Sequence, residues 1–181
     1  MQQNLYRNEL IVSLAEREVK AGHQVLVFSH RREHCYSLDA YLTGRGTKSG
    51  VLLGGDESAE RFRETIAGIK DGTVRVAVGT VQAIGQGLDL PSVSRGIVTT
   101  PIVANRQLWG QVRGRLCRTS EGKDDAIVFV LWDRHVVGSA MVRNLCKWNR
   151  DVKVLSGDDW VAGKRYLEVL DGEEKEDGWF K

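Results

Sequence analysis

Gln111, Arg115 and Arg118 stand at i, i+4 and i+7 in the stretch Gln111-Val112-Arg113-Gly114-Arg115-Leu116-Cys117-Arg118. In a helix, which turns about 100° per residue, the three share one face, with Gly114 at its edge. An amide and two permanently charged planar forks then point one way. Beside them is a spot with no side chain, where a phosphate or another backbone can come close. Leu108, Val112 and Leu116 form a separate apolar stripe about a quarter-turn away, suited to holding the helix on a core. A solvated basic face has the same pattern, so the octet alone does not choose between the two.

Three further stretches follow short apolar runs of the kind found in strands buried on both faces. After Val25-Leu26-Val27-Phe28 comes Ser29-His30-Arg31-Arg32, hydroxyl and imidazole donors followed by two cations. Such a turn suits a phosphodiester backbone, and an ordinary polar loop reads the same way. After Val51-Leu52-Leu53 come Gly54 and Gly55, which allow a close backbone approach or a plain tight turn. After the run from Val74 to Val78 comes Gly79-Thr80, then Gly85-Gln86-Gly87-Leu88-Asp89-Leu90-Pro91. This last stretch offers a hydroxyl at a strand end, glycines in a tight loop and a carboxylate before a proline. Together they could serve as a phosphate donor, a flexible approach and a ribose acceptor.

The elements that must position these residues alternate along the chain. Apolar spacing predicts helices over 5–20, 32–42, 58–70 and 106–117, with Ser58 as N-cap of the third, and strands over 25–29, 50–53, 74–78, 96–99 and 126–132. Residues 79–91 read as a loop. Strands and helices alternating at these lengths call for an α/β fold, a mostly parallel sheet with helices on both faces. In such sheets ligands collect at the carboxyl ends of the strands, which is where the residues above fall. Further helices are expected over 135–148 and 158–170, followed by an acidic, flexible tail over 171–181, so that residues 1–170 form one domain. Arg143, Lys147 and Arg150, with Trp148 beside them, would extend a nucleic-acid track or form a solvated face.

Composition narrows the function classes. The 181 residues are 41% hydrophobic and 28% charged, in the range of a globular chain with one sizeable core. The 26 basic and 24 acidic residues leave a net charge of +2, so nucleic-acid binding would have to come from local placement and not from bulk charge. Three cysteines, Cys35, Cys117 and Cys146, lie far apart without zinc-ligand spacing, so no metal site is expected within the chain and reduced thiols in the cytoplasm are. No apolar run is long enough to span a bilayer.

Taken together the motifs resemble those of superfamily-two helicases of the DEAD/DEAH type. Val25 to Arg31 is similar to motif IV, Gly79-Thr80 through Pro91 to motif V, and Gln111-x-x-Gly114-Arg115-x-x-Arg118 to motif VI, in the family's order. The resemblance covers about residues 22–133. It implies the C-terminal RecA-like domain of such an enzyme, a three-layer α/β sandwich. Arg115 and Arg118 would be arginine fingers reaching the triphosphate of ATP, with Gln111 near the γ-phosphate or the attacking water. Gly87, Asp89 and Gly114 would approach the nucleotide, Asp89 near its ribose. Thr80, His30, Arg31 and Gly55 would hold phosphates of the nucleic acid, single-stranded or duplex, with DNA favoured over RNA.

No GxxxxGK[ST] phosphate loop and no DExH or DEAD tetrapeptide after an apolar strand occurs. ATP and Mg²⁺ are therefore expected to be held mainly by an N-terminal RecA-like domain of the same protein, and the isolated chain is expected to be inactive. The alternative is a stand-alone RecA-like module that binds nucleic acid or protein without ATPase activity. A Rossmann-type cofactor domain ranks below both, because its GxGxxG fingerprint is missing.

Overall fold

The structure, a computed structural model of the chain, describes residues 5–55, 59–85, 89–99, 106–116 and 125–131. All of them fall within Met1–Asp133, the first of two units into which the chain divides. The expected helices over 135–148 and 158–170, the basic track on the first of them, the tail over 171–181 and the Ser58 cap lie outside the described residues.

Ten elements run in the order α1 (Leu5–Lys20), β1 (Val25–Ser29), α2 (Arg32–Gly44), β2 (Ser49–Leu52), α3 (Ala59–Asp71), β3 (Val76–Thr80), α4 (Val81–Gly85), β4 (Arg95–Val98), α5 (Arg106–Leu116) and β5 (Ile127–Val130). The strands form one parallel sheet in the order β2-β3-β1-β4-β5. Helices cover both faces, as a parallel sheet requires. Leu26, Phe28, Leu52, Ala77 and Val98 pack with Ile69 of α3, Val81 and Ile84 of α4, and Val112 and Leu116 of α5. The alternate positions Val25, Val27, Val51, Val76, Val78 and Ile97 are equally buried. They belong to the face of α1 and α2, whose apolar stripes include Ile11, Val12 and Ala15, and Cys35, Leu38 and Leu42. Each fully buried Leu, Val or Phe contributes about 1.5–3 kcal/mol.

Helix ends follow local rules. His23 N–H bonds the Glu18 carbonyl and Gly22 N–H bonds that of Val19, both at 3.0 Å, which closes α1 and turns the chain into β1. The same pair of bonds closes α2, from Thr47 to Leu42 and from Gly46 to Thr43.

The structure corrects the region after α3. β3 starts at Val76 and not at Val74, because Val74 N–H is spent on the Gly68 carbonyl at 2.8 Å in the turn out of α3. The strand continues through Thr80, and residues 81–85, expected as loop, form α4. Thr80 Oγ1 accepts the Ala83 N–H at 3.3 Å, an N-cap, and Val81 and Ile84, one turn apart, enter the core.

A buried charge cluster fastens the amino edge of the sheet. Arg95 opens β4 at 2% exposure, and its Nε donates to Glu18 of α1 at 2.9 Å. Its Nη1 donates to Asp125 at 2.7 Å and its Nη2 to His23 Nε2 at 2.8 Å. A guanidinium only donates, so His23 Nε2 accepts and its Nδ1 carries the proton toward Ser94 Oγ, 3.1 Å away. Burial pulls the Arg95 pKa down, but the hydrogen bonds and charges of Asp125 and Glu18 outweigh it and the net direction is upward. The guanidinium therefore stays charged in the interior.

Candidate nucleic-acid and nucleotide site

At the carboxyl edge the register sets three strand ends side by side. Ser29 of β1 pairs with Thr80 of β3, and Leu52 of β2 pairs with Gly79. Neighbouring strands lie about 4.8 Å apart, so the His30-Arg31 turn, Thr80 and the Leu53-Gly54-Gly55 loop occupy about 10 Å of edge. Gly79 allows this closeness, since a Cβ there would stand 2.5 Å from the Leu52 carbonyl oxygen.

His30 and Arg31 are both exposed. Arg31 is the N-cap position of α2 in extended geometry, and its own side chain makes no capping hydrogen bond. The positive end of α2 thus adds to the cations of the turn. A buried relay holds the turn from beneath. Arg31 N–H bonds Ser29 Oγ at 3.4 Å, and the Ser29 hydroxyl donates to His34 Nδ1 at 2.9 Å. His34 Nε2 donates to Asn8 Oδ1 of α1 at 3.0 Å. Burial, and then the charge of Arg7, lower the His34 pKa, so the ring is neutral and carries its proton on Nε2. Burial likewise pushes the neighbouring Cys35 thiol up to about 12, so Cys35 is an inert core residue and not a nucleophile. Arg7, the residue before Asn8, donates to the Thr99 carbonyl at 2.6 Å and to that of Leu131 at 3.0 Å, so the first turn of α1 also braces the ends of β4 and β5.

On the second loop Gly55 has φ +111°, a region that disfavours any residue with a Cβ. Arg32, the first residue of α2, reaches across and donates from Nη1 to the Gly54 carbonyl oxygen.

The motif VI residues lie on α5, which packs on β4, β5 and α4. Val112 and Leu116 are buried at 1% and 0%, Gln111 is half-buried, and Arg113 and Gly114 are exposed. The apolar stripe expected from Val112 and Leu116 therefore faces the core, while the side chain of Leu108 is outside the described atoms. Arg115 belongs to the α5 backbone one turn beyond Gln111, and its side chain is not among the described atoms. Asp89 is exposed just before buried Leu90. Arg118 and Gly87 lie outside the described residues.

Sequence reading missed Asn8 and His34, and it took Arg32 only as one of two cations in the turn. The first two carried a signal, for each is polar on an otherwise apolar helix stripe, and a buried polar group implies a partner. The link from Arg32 to Gly54 carried none, since its partner is a backbone carbonyl. A cleft of about 380 Å³ opens at the opposite, amino edge, lined by His23, Gln24, Lys70, Asp71, Arg75 and Asp125 among others. Its cations and carboxylates balance, and none of the catalytic, nucleotide-binding or nucleic-acid-binding candidates lines it. Among the described residues no group of His, Cys, Asp and Glu could hold a metal ion, and no helix is long and apolar enough to cross a membrane.

The chain is 30% identical over 123 residues to transcript termination protein A18 of cowpox virus, covering 67% of this chain and 25% of that protein. It thus spans about a quarter of the length of the curated relatives it matches. Among solved structures, S. cerevisiae Dbp5 bound to RNA and ADP BeF3 superposes with a TM-score of 0.66 at 17% identity, covering 91% of this chain and 41% of that one. The E. coli DEAD-box protein SrmB, bound to regulator of ribonuclease activity A, gives 0.63 at 20% identity, covering 82% and 84%. At these identities the likeness is one of fold, the RecA-like α/β fold. Residues 6–120, more than half of the 181, match the family described as helicase conserved C-terminal domain, and the chain belongs to that family.

Proposed function

We propose that the chain is the C-terminal motor domain of an ATP-dependent nucleic-acid helicase or translocase. In this reading the domain extends over residues 1–170. Arg115 and Arg118 reach ATP and Mg²⁺ held mainly by an N-terminal RecA-like domain, with Gln111 at the γ-phosphate and Gly87, Asp89 and Gly114 beside the nucleotide. ATP supplies the phosphoryl group whose transfer drives movement, and that transfer spreads charge over oxygens that a positioned Arg stabilises. Exposed Gly114, with half-buried Gln111 beside it on α5, fits a surface offered to a nucleotide. The sequence contains no phosphate loop, so in this reading the N-terminal domain holds most of the nucleotide.

The observation that carries the reading is the alignment of Ser29 with Thr80 and of Leu52 with Gly79. It supports a single strand gripped at its phosphates by His30, Arg31, Thr80 and Gly55. The expectation of DNA over RNA has no support from the comparisons, and the Dbp5 structure carries RNA. The reading is tested by fluorescence anisotropy of the chain with labelled oligo(dT) and oligo(U) over a range of salt. Binding with a salt-dependent affinity, weakened by Arg31→Ala, is expected. Absence of binding to both oligonucleotides would remove the grip. Binding that persists while an ATP-holding domain joined to the chain gives no turnover would favour the stand-alone module.

A further inference from the structure

We propose that Arg32 is a positioning residue of the nucleic-acid grip, tying the His30-Arg31 turn to the Gly54-Gly55 loop across the end of β3. The proposal rests on the nucleic-acid reading above. β1 and β2 are not neighbours in the sheet, for β3 lies between them. Their backbone ladders stop at the Ser29–Thr80 and Leu52–Gly79 pairs. Beyond those pairs the two loops leave the ladder, and a side chain that crosses from one to the other helps fix how far apart they stand. Arg32 supplies that link, from the first turn of α2 to the Gly54 carbonyl. Its guanidinium also lies against the loop, since a Cβ on Gly55 would stand 3.8 Å from Nη1.

The turn is thus held on two sides. From beneath, Asn8, His34 and Ser29 anchor the Arg31 backbone, and from above Arg32 joins the turn to its neighbour. A fixed spacing between two phosphate-holding loops removes ordering that binding would otherwise have to supply, which raises affinity without adding a phosphate contact. An Arg suits this task, because its planar fork holds direction at the carbonyl where the compact ammonium of Lys does not.

Salt dependence separates positioning from contact. A cation that neutralises one phosphate of a single strand contributes about 0.7 to the slope of log affinity against log salt. A positioning residue changes affinity and leaves that slope alone. The experiment titrates the full chain with labelled oligo(dT) and oligo(U) at several salt concentrations, for wild type, Arg32→Ala, Arg32→Lys and Arg31→Ala, with a thermal melt of each. Arg32→Ala is expected to weaken binding about threefold to tenfold, the effect of losing one hydrogen bond, with slope and melting temperature unchanged and partial recovery in Arg32→Lys. Arg31→Ala is expected to weaken binding and lower the slope by about 0.7.

Unchanged affinity in Arg32→Ala overturns the proposal. So does a slope drop matching that of Arg31→Ala, which would make Arg32 a phosphate contact, or a loss explained by a lower melting temperature. If wild type binds neither oligonucleotide, the nucleic-acid reading falls and this proposal with it. If wild type binds and Arg31→Ala weakens it while Arg32→Ala does not, only the positioning role falls.

Discussion

Ser29 at the end of β1 and Thr80 at the end of β3 are register partners, and each uses its hydroxyl to organise the helix that follows. Ser29 Oγ accepts the Arg31 N–H ahead of α2, and Thr80 Oγ1 accepts the Ala83 N–H within α4. Two adjacent strand ends are thereby converted into two helix starts at one edge. Thr80→Val removes the α4 cap and should cost about 0.5–2 kcal/mol in chemical denaturation, whereas Thr80→Ser should cost little. Equal stability of the valine variant and wild type would contradict the capping role.

Glu18 and Asp125 both bond Arg95, but only Glu18 is buried with it, their side chains at 3% exposure each against 53% for Asp125. Glu18→Ala should cost about 3 kcal/mol, the low end for breaking a buried pair, because Asp125 and His23 keep their bonds to the guanidinium. Asp125→Asn should cost about 1 kcal/mol or less. Joint replacement, Glu18→Leu with Arg95→Met, should cost less than Glu18→Ala alone, since no buried charge is left uncompensated and the half-exposed Asp125 is solvated by water. Urea denaturation gives the ranking, and Asp125→Asn costing more than Glu18→Ala would reverse the account.

His34 and His23 both have pKa values lowered, in each case first by burial. The unfolded chain takes up protons at these rings near pH 6.5 while the folded chain resists. Stability is therefore complete above that pH and falls as pH drops below it. Glu9 and Asp71, whose pKa values are also lowered, act only further down, in the carboxylate range. The urea midpoint should be lower at about pH 5.5 than at about pH 7.5, and His34→Gln should narrow the gap. A midpoint that rises on acidification would contradict the neutral, doubly bonded His34.

Most of the scaffold was legible because parallel strands and their helices write themselves as apolar runs and stripes. Helix α1 and strand β1 have the boundaries expected, and Val112 and Leu116 turn inward as their spacing required. Helix α4 was hidden because its five residues follow a strand directly and run toward glycines, so a helical spacing of only Val81 and Ile84 looked like loop. The long-range polar links were hidden for a different reason. Arg95 with Glu18, His34 with Asn8 and Arg32 with the Gly54 carbonyl join residues far apart in sequence, and no local period encodes such partners.

The most direct measurement is steady-state ATP turnover, with nucleotide binding followed separately, for the chain alone and joined to a RecA-like domain that carries the phosphate loop. Negligible turnover is expected of the chain alone. The joined protein should hydrolyse ATP, and Arg118→Ala should lower its turnover about 10³- to 10⁵-fold while ATP still binds. Magnesium-dependent hydrolysis by the pure chain, or unchanged turnover in Arg118→Ala, would contradict the proposed function.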